Sequence, residues 1–456
     1  MFNPTRVARE ARATILLALP LIMGQLSSIA MGAVDTAMAG HFNAHTLGAV
    51  AVGANVWMLG VVLVTGVMMA VSPSVAQLDG AGQRHAVGAL FRQTLWLVAG
   101  MSVLLWIAAR HTHPLLALLG VDPRLVDDAQ AFLRALSWSS PALCGFFALR
   151  GLCEGTSWTR PTMIFSFLGL VVLIPLDWAL IYGRLGLPAL GAEGSGIANA
   201  IALWLQVAAF GIYVVRGRRF KPLDLFASFD WPNWRALREL LWIGVPMAVS
   251  FLMEAGLFIA AALLVSRLGT FAIDGQQIAT NVASLLFMVP LGLALAVTIR
   301  VGYAAGQGDS RGLRYAGYTG VALTLVTQSV SASLLLFLPH AIAQVYSDDP
   351  QVIALAVQLL TLAGIYQFAD GIQGVSNGAL RGLKDTRVPM LITAFAYWGV
   401  GMPVGAWLTF SHGQGPSGMW VGMIAGLSVA AILLFTRWVR TTHTERWRHF
   451  AALPSA

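Results

Sequence analysis

The stretch "VSFLMEAGLFIAAALLV", residues 249–265, is apolar throughout except for Ser250 and one glutamate, Glu254. A charge at the centre of a bilayer costs about 2.5–3.5 kcal/mol on insertion scales. A residue that expensive is neutralised, paired or useful, and its surroundings decide which. Of the 456 residues, 57% are hydrophobic and only 11% charged. A soluble chain carries about 25% charged residues. Many apolar runs exceed the roughly 18 residues that mark a transmembrane helix. Composition therefore predicts an all-α polytopic membrane protein.

The net charge of +8 does not call for nucleic acid, because the basic residues fall in short loops. Breaking the chain at charges, Gly and Pro gives twelve transmembrane helices, starting near residues 14, 47, 88, 129, 162, 195, 240, 275, 315, 352, 388 and 418. Of the 28 Lys and Arg residues, 23 fall in the termini and even-numbered loops and four in the odd-numbered loops. Arg134 lies inside the fourth span. Cytoplasmic loops collect Lys and Arg, so both termini are expected in the cytoplasm. The basic, then apolar N-terminus lacks a convincing cleavage site and reads as a retained first span. Cys144 and Cys153 are too few for a disulfide framework and are expected as free thiols.

The two halves match at a nearly constant offset. Pro20 precedes Pro246 by 226 residues, as Asn55 precedes Asn281 and Val75 precedes Val301. "LRGL" at Leu149 recurs at Leu380, Asp122-Pro123 at Asp349-Pro350, and Pro175 pairs with Pro403, at offsets of 227 to 231. Six spans per copy is an even number, so both copies enter the membrane from the same side. The expected architecture is two parallel six-helix repeats around a central cavity. Residues 1–215 form the N-terminal bundle, 216–239 a cytoplasmic interfacial linker, 240–440 the C-terminal bundle and 441–456 a cytoplasmic tail. Trp231 and Trp234 are expected to anchor the linker among membrane lipids. Pro20, Pro175, Pro246 and Pro403, with Pro141 and Pro290, lie inside spans and are expected to kink them.

Four acids lie well inside spans: Asp35, Asp177, Glu254 and Asp370. At about 1.5 Å of rise per residue, Asp35 and Asp177 sit roughly 10 Å below the outer boundary. Glu254 lies about 20 Å from Arg267 and Asp370 about 16 Å from Arg381, both near mid-membrane. Two acids of shared depth in each half, with no obvious basic partner, suit cation handling. Such carboxyls can exchange H⁺, Na⁺ and an organic cation as access changes. The blander reading is a protonated carboxyl bonding a neighbouring helix. At the repeat offsets Asp35 corresponds to Ala261, Glu254 to Ser28, Asp177 to Gly405 and Asp370 to Ser139, so the two halves should do different work. Trp57, Phe287, Tyr366, Tyr397 and Trp398 are aromatics that could line a cavity and stack on a flat cation.

The segments "MGAVDTAMAG", "VAQLDGAG", "IPLDWALIYG", "ALLVSRLG", "QQIATN", "IRVGYAAGQGD", "IYQFADGIQ", "GALRGLKDTRVPM" and "YWGVGMPVG" resemble the multidrug and toxic compound extrusion (MATE) family, its NorM-like branch in particular. The resemblance runs from about residue 12 to 438. It implies a multi-pass antiporter of the bacterial inner membrane that exports cationic, often aromatic, drugs and dyes in exchange for Na⁺ or H⁺. It implies a coupling-cation site at Glu254 and Asp370, the place where Na⁺ would bind. Tyr366 would face the cation, Gln277 and Asn281 would lie near it, and Asp35 would serve the N-terminal bundle. "LIPLDW", with Leu173 and Asp177, departs from the asparagine-flanked pattern common in that branch and favours H⁺ at Asp35–Asp177. Gln276 replaces a histidine common there. No cofactor is expected beyond the coupling ion, and a monomer is expected.

The alternative is a flippase for lipid-linked oligosaccharides, whose cavity would need buried Arg or Lys for phosphates. An enzyme is not expected, because the nine histidines lie at span ends or in loops and no H-E-x-x-H pattern occurs. Orientation is directly testable: alkaline phosphatase fused after Asp224 should be inactive, and fused after Arg267 active. The reverse pattern would invert the topology.

Overall fold

The computed structural model describes residues 4–118, 122–184, 186 and 188–450, so the last six residues of the tail lie outside it. Among the described residues there is no strand. The helices are α1 (Pro4–Phe42), α2 (Ala44–Met68), α3 (Val71–Gly80), α4 (Arg84–Arg110), α5 (His113–Leu118), α6 (Pro123–Ser137), α7 (Ser140–Gly155), α8 (Arg160–Ile181) and α9 (Gly191–Arg216). They continue as α10 (Trp234–Val265), α11 (Thr270–Gly306), α12 (Ser310–Phe337), α13 (Pro339–Tyr346), α14 (Pro350–Gly382), α15 (Arg387–Ala394), α16 (Met402–Ala406), α17 (Pro416–His443) and α18 (Trp447–Phe450). Among the described residues, eleven helical stretches are long and apolar enough to cross a membrane, or twelve if α6 and α7, bent by 49°, form one span. The chain is a multi-pass helical membrane protein.

Prolines act in different ways. Pro20, Pro175, Pro246 and Pro290 lie inside helices that continue through them. Pro141 instead opens α7 just past the bend. Pro403 opens α16 between two π-wound segments, Phe395–Gly401 and Trp407–Ser411. Proline has no N–H to give the preceding turn, and a widened turn is one way a helix absorbs that loss. This stretch was expected as an ordinary kinked span; it is a span whose winding changes three times.

The chain divides into two compact units, Met23–Ala248 and Met1–Ile22 with Val249–Ala456. In the first, Phe91, Leu152, Cys153 and Phe210 belong to one buried cluster, and both cysteines are free thiols. Residues 217–233 pack on α4. Arg92 pairs with Asp230, Trp96 Nε1 donates to the Asp230 carbonyl, and the Gln93 amide bonds Trp231 and Asn233. The Arg92 hydrogen bond holds the Asp230 carboxyl below its ordinary range. Trp231 and Trp234 remain 77% and 70% exposed, as aromatic residues at a membrane–water boundary do.

In the second unit, Leu359, Tyr397, Met423 and Trp420 form the centre of the core. The first half of α1 joins this unit through charge: Arg300 forks both Glu10 oxygens at 2.7 Å, and Arg6 reaches Asp309 at 2.9 Å. Val326, Val330, Leu391 and Ile432 are 60% or more exposed, a surface suited to hydrocarbon rather than water.

Small residues set the helix spacing, as is usual where lipid removes the hydrophobic drive between helices. A Cβ on Gly422 of α17 would lie 2.2 Å from the Gly405 Cα of α16. The obstacle is backbone, which cannot rotate aside. Gly422→Leu should cost about 1–3 kcal/mol or more, read as a lower unfolding temperature in detergent. Gly32→Ala, where an added Cβ meets nothing within 4 Å, should leave that temperature unlowered or slightly raised, because Ala suits a helix interior better than Gly.

Candidate functional site: two buried carboxyl clusters

Each unit holds its own pair of acids. In the first, Asp35 on α1 and Asp177 on α8 come within hydrogen-bonding range of each other. Asn199 Nδ2 donates to both Asp35 oxygens at 2.8 and 2.9 Å, and Ser195 Oγ donates at 3.2 Å. Asn199 and Ser195 are one helical turn apart on α9, so they present to the same neighbour. Tyr182 pins the end of α8 to α1 by donating to the Met38 carbonyl at 2.9 Å. Asp177 is fully buried, and neither of its oxygens receives a hydrogen bond from a described donor. Two ionised carboxyls can only accept, so a hydrogen bond between them needs a proton on one. Leu173, one turn before Asp177, is also fully buried and offers no polar atom.

The second pair stands among aromatic residues. Tyr366 and Asp370 are one turn apart on α14, both nearly inaccessible at 3% and 2% exposure. Electrostatic interaction links them with the half-buried Glu254 on α10 and with Tyr397 in the first π-wound segment. Tyr366 meets the Trp420 ring edge-on at 5.7 Å and the Phe258 ring at 6.4 Å. Trp420 Nε1 in turn donates to Gln276 Oε1 at 2.8 Å. Gln328 Nε2 donates to both the carbonyl and the side-chain oxygen of Gln367, at 2.9 Å. One Asp370 oxygen and the Tyr397 hydroxyl have no hydrogen-bond partner among the described residues. These are two buried oxygens available to a cation.

The structure thus brings together Asp35 with Asp177, and Glu254 with Asp370 and Tyr366. Gln277 and Asn281 are both exposed on α11, while the neighbouring Gln276 is buried. One helical step turns a side chain by about 100°, so adjacent glutamines face different surroundings. Asn199, Ser195 and the Tyr397 hydroxyl were not singled out as site groups in the sequence. The first two could have been noticed as polar positions one turn apart in an otherwise apolar span.

Arg381 corrects a further expectation. It reads as a boundary residue, but it is 5% exposed, lies over the Phe251 ring at 5.5 Å and interacts electrostatically with Glu254. The acids are therefore not all without a basic neighbour. Burial of a long basic side chain is a tertiary outcome that span position alone does not reveal.

Asn199 supplies the two shortest bonds to Asp35, so its removal leaves a buried carboxyl under-bonded. Asn199→Leu should destabilise the protein by about 1–3 kcal/mol in detergent unfolding. Ser195→Ala should have a smaller effect; equal effects would contradict this ranking.

The MatE family model matches the chain twice, over residues 20–179 and 246–407, the two matches starting at the repeat offset noted above. A protein of Xanthomonas axonopodis pv. citri, "Probable multidrug resistance protein NorM", is 49% identical over 95% of each chain. "Multidrug resistance protein MdtK" of Edwardsiella ictaluri is 41% identical over 94% of this chain and 95% of its own. Among solved structures, the eukaryotic MATE transporter AtDTX14 superposes with a TM-score of 0.86 at 21% identity, covering 98% of this chain and 100% of its own. A MATE protein described in its bent conformation gives 0.89 at 17% identity, covering 99% and 100%. With the fold, the duplication and the full-length relatives in agreement, the chain belongs to the MatE family, in its NorM-like branch.

Proposed function

We propose that this protein is a secondary active transporter for multidrug efflux, not an enzyme, that it exports aromatic organic cations, and that inward movement of Na⁺ or H⁺ drives it. The observation that carries the reading is a carboxyl pair in each unit of which one member is buried and under-bonded. Asp177 receives no donor from the described residues, and Asp370 keeps one oxygen unpartnered. Idle carboxyls of that kind would be costly in a membrane. They repay the cost if cations occupy them in turn.

The work divides between the pairs. Asp35 and Asp177 lie close enough to share a proton and are surrounded by Asn199, Ser195 and apolar Leu173, which favours H⁺ there. Glu254 and Asp370 have Tyr366 and Tyr397 beside them. Phenolic oxygens can complete the shell of a bound Na⁺, and the Tyr366 and Trp420 rings offer faces to an organic cation. A small cation and a drug that weaken each other's binding must do so reciprocally; loading the ion from one side of the membrane then expels the drug. The protein acts as a monomer in the bacterial inner membrane among its lipids, with both termini cytoplasmic. The bundles at 1–215 and 240–440 are joined by the linker at 216–239 and followed by the tail at 441–456. Gln277 and Asn281, exposed on α11, face the drug rather than the coupling ion. Pro175, Pro246 and Pro403 kink their helices, and the first span bends at Pro20 as the cycle turns.

Glu254→Gln and Asp370→Asn, at matched expression, should each lower ethidium efflux at least tenfold. Wild-type efflux in both would remove the basis of the reading. Proteoliposomes given a sodium gradient or a pH gradient alone identify the driving ion.

A further inference from the structure

The repeat supplies an internal control for Arg381. Its counterpart at the offset of 231 is Arg150, in the duplicated "LRGL". Arg150 is fully engaged: it pairs with Glu154 one turn along α7 and donates to Gln25 Oε1 at 3.0 Å. The equivalent of Gln25 is Phe251, and the equivalent of Glu154 is Asp385. Phe251 offers Arg381 only a ring face. Asp385 is taken by Arg437, which forks both carboxyl oxygens at 2.7 and 3.0 Å. Both ties that hold Arg150 are thus withdrawn from Arg381. Its Nε and Nη1 have no acceptor among the described residues, although the side chain is 95% buried. At the same time Ser28 of the first half is replaced by Glu254 in the second, one helical turn beyond Phe251. The second copy has released its arginine and placed an acid one helical turn from the ring the guanidinium covers, where the two charges interact electrostatically.

We propose that Arg381 is the built-in counter-charge of Glu254, a positioning residue that sets how tightly the coupling cation is held, and that Arg437 keeps it available by sequestering Asp385. The inference rests on Glu254 being a coupling-ion group. When the ion leaves, the guanidinium supplies the positive charge that the carboxylate would otherwise lack. When the ion enters, it displaces that interaction, so the site releases its ion rather than trapping it. An arginine presents several donors in a fixed fork, which suits it to stand in for a multi-coordinate ion. The other groups facing this charge are Asp370 and Tyr366 on α14 and Tyr397 on the π-wound segment.

The test is the concentration of driving ion that gives half-maximal ethidium efflux in proteoliposomes. Arg381→Gln should lower it at least tenfold and reduce maximal efflux, because the ion binds more tightly and leaves more slowly. Arg381→Lys should fall between Arg381→Gln and wild type, since it can carry the charge but lacks the fork and holds its proton less firmly when buried. Arg437→Gln provides a second route: it frees Asp385, four residues after Arg381 as Glu154 is after Arg150, to compete for that guanidinium, so half-saturation should fall in the same direction. Arg437→Gln with Asp385→Asn should return towards wild type. Unchanged half-saturation in Arg381→Gln overturns the proposal, whatever happens to maximal efflux. If that variant does not assemble, unchanged half-saturation in Arg437→Gln overturns it alone. Full efflux in Glu254→Gln would instead defeat the underlying coupling assignment.

Discussion

The cost of placing a carboxyl where water is scarce governs this protein. Hydrocarbon cannot solvate a charge, so each buried acid needs a donor, a proton or a cation. Asp35 obtains donors from Asn199 and Ser195. Asp177 obtains none from the described residues, and it sits against another acid. Glu254 and Asp370 rely on one another's surroundings: two tyrosines, a tryptophan, and one arginine at a distance. In both units the demand exceeds what the helices supply, and that shortfall gives the acids a use.

The rest of the fold holds these groups in place. Close backbone approaches such as Gly422 to Gly405 fix helix spacing where apolar collapse contributes little. Buried ion pairs are concentrated near helix ends: Glu10–Arg300, Arg150–Glu154 and Arg437–Asp385. Pairing of that kind is weak evidence for net stability but penalises any rearrangement that breaks one partner. Such pairs act as register pins. The π-wound turns around Pro403 lie on the segment that carries Tyr397, next to the carboxyl pair, and unusual winding of this type often marks a working part of a helix.

Much of this was legible in the sequence, for identifiable reasons. Length and apolarity alone define spans, and the offset of 226 exposed the duplication through Pro20 and Pro246. Isolated acids such as Glu254 stand out in an apolar run. What was not legible depends on rotation and neighbours. Gln276 and Gln277 are adjacent letters, yet one accepts from Trp420 and the other is exposed. Arg381 sits at a span end in the sequence, yet tertiary packing buries it. Asn199 and Ser195 gain meaning only once α9 lies beside α1. The change of winding at 395–411 leaves no periodic signal, because it follows from how one missing N–H is absorbed.

If small cations and drugs compete through shared carboxyls, the competition must appear at equilibrium, without any gradient. The decisive measurement is ethidium binding to the purified protein by fluorescence, at increasing concentrations of Na⁺ and separately of H⁺. The account predicts that the ethidium Kd rises with one of these ions and then levels off, and that a rise with Na⁺ is lost when Glu254 and Asp370 are both neutralised, a rise with H⁺ when Asp35 and Asp177 are. An ethidium Kd unaffected by either ion, in a protein that still binds and exports the dye, would contradict it.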